Sequence, residues 1–285
     1  MAVEAAGLTY LKLRRTSGCS SCGIWPSAFF LSDWSFSVSG PVSDRPGENG
    51  SPQSAAVVQR RSRARVSDDL TRALIIAVDG PAASGKGTIA ARLAALHGLP
   101  HLDTGLLYRA VGVGVLDAGG SLDDAAAAEA VARALRAESL HDTDRLTSGD
   151  AGEAASRVAG YPGVRAALLD FQRAFAARPG GAVLDGRDIG TVIAPDAMAK
   201  LFITATPEVR ALRRWKQLTG RGDVIAYEDM LADIMRRDER DAGRGTAPMV
   251  QAKDAVLLDT TDMDIEAAFD AARRIVEAAR VRHGL

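Results

Sequence analysis

Leu74-Ile-Ile-Ala-Val78, followed by Gly80-Pro-Ala-Ala-Ser-Gly85-Lys86-Gly87-Thr88, decides the fold. The first stretch is short, apolar and β-branched, the pattern of a strand buried in a parallel sheet. The second holds Gly-x-x-x-x-Gly-Lys, and a helix-period stretch follows from about Lys86 to His97. Strand, glycine loop and helix in this order make a P-loop. Glycines let backbone N–H groups turn around a phosphate with no Cβ in the way. The helix N-terminus adds a partial positive charge, and Lys86 adds a full one. Gly80, Pro81, Ala82, Ala83, Ser84, Gly85, Lys86, Gly87 and Thr88 are therefore the expected ATP-binding residues. Gly87 stands where the common motif has a magnesium-binding Ser or Thr, and Thr88 comes one residue later. A direct Thr–magnesium bond is therefore not expected.

Downstream, apolar runs recur at Leu99–Leu102, Ala182–Leu184, Lys200–Ile203 and Ala255–Leu258, separated by helical patterns. Strands alternating with helices predict an α/β fold, a doubly wound five-stranded parallel sheet. Ligands should then sit beyond the carboxyl ends of the strands. Several arginines and aspartates fall there. In His101-Leu-Asp103-Thr104-Gly-Leu-Leu-Tyr108-Arg109, Thr104 reads as a helix N-cap with Arg109 one to two turns in. Val183-Leu-Asp185-Gly-Arg187-Asp188 places two carboxylates and a guanidinium at a strand end. Arg187 there suits a phosphate, and Asp185 suits magnesium held through water. Thr206-Pro207-Glu208 opens a helix that carries Arg210, Arg213 and Arg214 on neighbouring positions. Like charges so close call for an anion or an acid facing them. Gly220-Arg-Gly222 suits a hinge. The next helix ends in Arg236-Arg237-Asp238-Glu239-Arg240-Asp241-Ala-Gly-Arg244.

These residues form a kit for phosphoryl transfer. A phosphate acceptor is already anionic and needs no strong general base. It needs two polyanions held in line while their charge is neutralised. The chain shows no Ser–His–Asp or Cys–His set and has only four histidines. No guanine-reading Asn-Lys-x-Asp follows the loop. Lys86, Arg187, Arg210, Arg213 and Arg214 are the candidate catalytic cations.

The chain has 285 residues, 47% apolar and 25% charged, with a net charge of −1. These are globular proportions, and near-neutral charge argues against a nucleic-acid binder. No apolar run reaches the roughly 18 residues of a spanning helix. Two cysteines make no disulfide framework and indicate a reducing, cytoplasmic setting. Residues 1–73 differ from the rest: they carry nine Lys or Arg against six Asp or Glu and are rich in Ser, Gly and Pro. They are expected to be a disordered extension, compatible with an Arg- and Ser-rich transit peptide or an upstream start codon. Both cysteines lie there, as Cys19-Ser-Ser-Cys22, with no second pair of ligands to complete a zinc site. Residues 74–285 form the folded domain.

IAVDGPAASGKGT, LDTGLLYR, DGRDIGTVIAPDA and RRDERDAGR, in this order, resemble bacterial cytidylate (CMP) kinases over about Ile75 to Val276. Adenylate kinases are similar at the glycine loop but carry Asp-Gly-Phe-Pro-Arg where Asp185-Gly-Arg-Asp188 stands here. The resemblance implies ATP-dependent phosphorylation of CMP, and of dCMP, with Mg2+ accompanying ATP. It implies Thr104, Arg109 and Arg187 near the CMP phosphate; Ser156, Arg165 and Asp188 on the cytosine; Arg237 and Asp241 on the ribose; and Arg244 on the nucleotide's polar end. It also implies a CMP-binding insertion at about 120–180 and a short lid at about 210–245. Glu138–Glu153 is shorter than the insertion of many relatives and poor in strand formers, so a small helical insertion is expected. A monomer acting on small molecules, with no membrane or nucleic-acid partner, completes the reading. Two alternatives stay open: a kinase for another small acceptor (UMP, AMP or a sugar acid), and a non-catalytic P-loop nucleotide-binding module.

Overall fold

The structure is a computed structural model, and it describes residues 73–140 and 143–284. The extension and its Cys19/Cys22 pair lie outside the described residues. The sheet has five parallel strands in the order β2-β3-β1-β4-β5. They are β1 Leu74–Asp79, β2 His101–Asp103, β3 Gly181–Gly186, β4 Ala199–Thr204 and β5 Val256–Asp259. Each falls on or within a residue or two of an apolar run read from the sequence. The central strand β1 is buried at Leu74 and from Ile76 to Asp79, as a strand with helices on both faces must be.

Helix α1, Lys86–His97, closes at Gly98 with φ 63°, a left-handed cap that glycine takes without strain. It packs with α8, Ile265–Arg282, on one face of the sheet, where Ile89, Leu93, Ala272 and Val276 join β1 and β4. Arg92 ties the two helices by a bidentate pair to Glu266 at 2.8 and 2.7 Å. The other face is covered by Phe175 and Ala176 of α5, Pro162–Ala176, and by a π-helical turn at Ile189–Ile193. Helices α2 (Thr104–Asp117), α3 (Ala125–Ala134) and α4 (Gly149–Val158) pack with α5 around a second core of Leu107, Val111, Val158 and Val164. Among the described residues between α3 and α4 stand two short helical turns, Ala137–Leu140 and Thr143–Leu146, and no strand. The expected small helical insertion is therefore what the chain forms. Helices α6, Pro207–Thr219, and α7, Tyr227–Ala242, complete the fold, meeting through Ala211, Leu218, Met230 and Ile234.

The order β3-β1-β4 reverses direction beside β1, so a crevice opens beyond that strand's carboxyl end. Two close approaches shape it. A Cβ on Gly80 would stand 2.0 Å from the carbonyl oxygen of Ile203, so only glycine lets the chain leave β1 against β4. Asp79, buried at the end of β1, accepts hydrogen bonds from Ile189 N–H and Gly190 N–H, each 2.8 Å. This carboxylate holds the start of the π-helical turn against the sheet.

Candidate active site

Beyond the strand ends lies a cleft of about 680 Å³. One wall is the glycine loop. Gly85 caps α1 with φ 88°, no side chain caps the helix, and its first turn has no acidic residue. Ala83 also takes a positive φ, 58°. The N–H groups at this helix start are thus left for an anion. Ala82 through Thr88 line the cleft, whereas Gly80 and Pro81 do not. Gly80 serves the loop through the strand crossing described above.

Lys86 lines the same wall. Burial, and then the nearby Arg187, bring its pKa down to about 8, although Asp185 and Asp103 pull the other way. Asp185 sits under the loop: a Cβ on Gly87 would be 3.8 Å from its Oδ1. Its Oδ2 accepts from His101 Nε2 at 2.8 Å. Asp103 pairs in register with Asp185 on the adjacent strand. Burial first, then Asp185, pushes the Asp103 carboxyl up.

Thr104 does not cap α2, contrary to the sequence reading. Asp103 is the cap, accepting from Gly105 N–H at 2.8 Å. Thr104 is the first helical residue, and its hydroxyl donates to the Asp185 carbonyl at 2.8 Å, stitching β2 to β3. An aspartate just before the threonine offers a stronger, charged acceptor to the same N–H groups.

The far wall is a network of arginines and aspartates. Arg165 donates to Asp188, and its guanidinium lies 5.6 Å from the Tyr108 ring centre. Asp241 accepts from Arg187 Nε at 2.9 Å, from Arg244, and from Ser156 Oγ at 3.1 Å. Burial raises the pKa of Asp241, but Arg187 and Arg244 outweigh it and hold the carboxyl below its ordinary value. Ser156 therefore joins Asp241, not the Arg165–Asp188 pair with which the sequence grouped it. Arg237, buried, donates to Gly152 O at 3.0 Å. Its Nε and that of Arg244 are buried without a hydrogen-bond partner among the described residues.

Two further cations, from α2 and α6, bond carbonyls of the helical insertion. Arg109 donates to Leu146 O at 3.3 Å, and Arg214 donates to Thr147 O and Ser148 O at 3.0 and 3.3 Å. Burial, then repulsion from Arg109 and Arg237, brings the pKa of Arg214 down to about 10. Arg213 binds Thr260 Oγ1 at 3.0 Å and Thr260 O at 2.7 Å. Arg210 departs from its expected place. It does not line the cleft. Its Nη1 donates to Asp238 Oδ1 at 3.0 Å and to Ala82 O at 3.3 Å, and its Nε to Ala205 O at 2.8 Å. Asp238 is the acid that the crowded arginines of α6 required, and it faces only this one. The sequence did not single out Asp79, His101, Tyr108 or Thr260. Asp79 and Thr260 stand at or just past strand ends, His101 opens β2 and Tyr108 lies within α2, and none of these positions by itself separates a site residue from a strut.

Eight Lys and Arg side chains line the cleft against five aspartates, in a chain whose net charge is −1. Arg214, Arg237 and Arg244 are all held below their ordinary pKa, first by burial and then by repulsion that includes other arginines of the cleft. An added anion relieves both. With unpartnered guanidinium N–H groups and an open glycine loop, the cleft is built to take polyanions at two places.

The family model described as cytidylate kinase matches residues 76–278. Proteins named cytidylate kinase are similar along the same stretch. That of Caulobacter vibrioides (strain NA1000 / CB15N) is 70% identical over 211 residues, covering 74% of this chain and 99% of that protein. That of Xanthobacter autotrophicus is 65% identical over 207 residues, with 73% and 99% covered. That of Rhodopseudomonas palustris (strain TIE-1) is 58% identical over 207 residues, with 73% and 97% covered. A chain that folds its glycine loop and its Arg–Asp network into one cleft, and matches this model over most of its length, belongs to the cytidylate kinase family.

Proposed function

We propose that the protein transfers the γ-phosphoryl group of ATP to CMP, and to dCMP, giving ADP and CDP or dCDP. A phosphate oxygen of CMP attacks the γ-phosphorus, and the bond from that phosphorus to the β–γ bridging oxygen breaks. The single observation carrying this reading is that one cleft holds both the glycine loop and the arginine–aspartate network. The attacking oxygen is already anionic, so no base is required; charge neutralisation and alignment are the work to be done.

Ala82 to Thr88 would hold the ATP phosphates, with Lys86 on the transferring end. Thr104, Arg109 and Arg187 would hold the CMP phosphate, and Arg213 and Arg214 would close over the reacting groups from α6. Arg165 and Asp188 would read cytosine. Its edge offers an N4 amino donor beside the N3 and O2 acceptors, so a carboxylate and a guanidinium complement it, whereas uracil would set a carbonyl against Asp188. Asp241, Ser156, Arg237 and Arg244 would hold the sugar and its polar surroundings.

The residues present fit a magnesium ion arriving with ATP. Magnesium keeps several waters and takes oxygens from phosphate and one or two carboxylates. Asp185 offers such a carboxylate beside the loop, its oxygens 3.8 and 3.9 Å from where a Cβ on Gly87 would stand. No cluster of three or more metal-ligating side chains occurs among the described residues, so an ion here depends on the nucleotide. When bound, it supplies charge neutralisation on the phosphates.

We take residues 74–285 as the kinase domain, with the insertion at about 120–180 and the lid at about 210–245, acting as a cytoplasmic monomer. ADP-release assays with CMP, dCMP, UMP, AMP and dTMP as acceptors test the reading. CMP and dCMP should far exceed the rest; equal or greater turnover of AMP overturns it.

A further inference from the structure

His101 is a residue that the phosphoryl-transfer chemistry does not touch, yet it holds one that does. It lies in register with Val183, so it sits diagonally from Asp185 across the β2–β3 pair. Its Nε2 is 2.8 Å from Asp185 Oδ2. Asp185 lines the cleft; His101 does not. The Asp185 residue is 1% exposed, and Asp103 stands directly opposite it in the same ladder. Two buried carboxylates so placed each need a hydrogen-bond donor to fix them. Asp103 has its own compensation, the Gly105 N–H at 2.8 Å. The main-chain carbonyl of Asp185 is fixed by the Thr104 hydroxyl, but that bond leaves the carboxylate free to turn. The hydrogen bond to the carboxylate comes from the imidazole.

We propose that His101 is a positioning residue for phosphoryl transfer: its ring N–H anchors Asp185 Oδ2 and holds that carboxylate in place beneath Gly87 of the glycine loop. The arrangement is that of an outer partner fixing a carboxylate near a metal. The proposal rests on the reading of the cleft as a magnesium–ATP phosphotransferase site. Without the imidazole, the Asp185 carboxylate is free to rotate and is no longer held in place beneath the loop and beside Lys86. The Thr104 hydroxyl bonds the main-chain carbonyl of Asp185, not its carboxylate, so CMP binding changes little.

The test compares His101→Leu, which removes the donor, with His101→Gln, which keeps an N–H of similar reach. Steady-state kinetics are run across free Mg2+, and calorimetry measures ATP affinity with and without Mg2+. His101→Leu is expected to lower kcat about 10–100-fold, the range for losing an outer partner of a metal site. It should leave the KM for CMP within about twofold, raise the Mg2+ concentration for half-maximal rate, and shrink the gain in ATP affinity that Mg2+ gives. His101→Gln should recover most of each effect. A His101→Leu enzyme with unchanged Mg2+ dependence overturns the proposal, as does equal impairment of both variants accompanied by an equal loss of melting temperature. Should His101→Leu not fold, the cycle of His101→Asn, whose shorter amide does not reach Asp185, with Asp185→Asn decides: independent, additive effects overturn the pairing, and coupled effects support it. If the wild-type enzyme instead shows no CMP-dependent ADP release, the kinase reading fails, not the pairing.

Discussion

Lys86 carries its charge at a cost set by burial, and that cost is measurable. Its pKa of about 8, against an ordinary 10.5, makes it a neutral amine in much of the free protein above pH 8. As the partner of ATP phosphate it must be charged, so kcat/KM for ATP should fall tenfold per pH unit above about 8. The sign for stability is opposite. The unfolded chain keeps the proton up to 10.5, so this group's contribution to stability rises with pH between 8 and 10.5. Lys86→Ala should remove the alkaline limb altogether and lower kcat by 10²-fold or more, since a preorganised charge at the transferring phosphate is worth roughly 3 kcal/mol. Asp188→Ala should act differently: ATP binding persists, CMP affinity drops, and the preference over UMP narrows. Isothermal titration with CMP checks it; an unchanged affinity removes Asp188 from base reading. Asp79 is a third case. Burial lifts its pKa to about 6 while two N–H groups hold it. The folded state therefore keeps a proton that the unfolded chain loses near 3.8, and stability falls as pH rises from about 4 to 6. Asp79→Ala orphans both N–H groups and should cost about 2–4 kcal/mol in denaturant unfolding. Lys86 was legible in the sequence because its motif fixes backbone and side chain together. Asp79 was not, because the residue that needs it, Gly190, lies 111 positions away.

At the scale of elements, period and punctuation were enough to find β1, α1 and β3, since apolar runs bounded by glycine leave little else to form. The sequence could not show where long side chains on a found helix would turn. Arg210, Arg213 and Arg214 share α6, yet they go to Asp238, to Thr260, and to the carbonyls of Thr147 and Ser148 respectively. Rotamer and partner follow from α7, the turn after β5 and the insertion, which sequence spacing on α6 does not place. Arg210 is thus a strut: with Asp238 it joins α6 to α7, and through Ala82 O it steadies the loop from behind. Breaking a buried pair by removing one partner costs about 3 kcal/mol. Arg210→Ala should therefore lower the melting midpoint by roughly 6–12 °C. Below that midpoint kcat should stay within about tenfold of wild type, in contrast to Lys86→Ala. A hundredfold loss of kcat at unchanged stability would return Arg210 to the reacting groups.

For the whole molecule, the described residues and the length matched in the relatives nearly coincide. The cleft is lined by residues from Ala82 to Ala268, and β1 begins at Leu74, whose N–H donates to Gly180 O at 3.2 Å. Relatives of which 97–99% is covered match only 73–74% of this chain. Nothing in the charge neutralisation argued above draws on residues 1–72. A chain starting at Ala73, which is itself buried and must be kept, is expected to retain kcat and both KM values within about twofold and the same melting midpoint. Kinetics and calorimetry on the two lengths measured side by side check this. A tenfold rise in either KM on truncation would mean that the leading segment reaches the cleft. Its excess of positive charge, nine Lys or Arg against six Asp or Glu, would then act on the nucleotides as a further set of cations, and the loss should shrink as salt rises toward 1 M, where screening acts within about 3 Å.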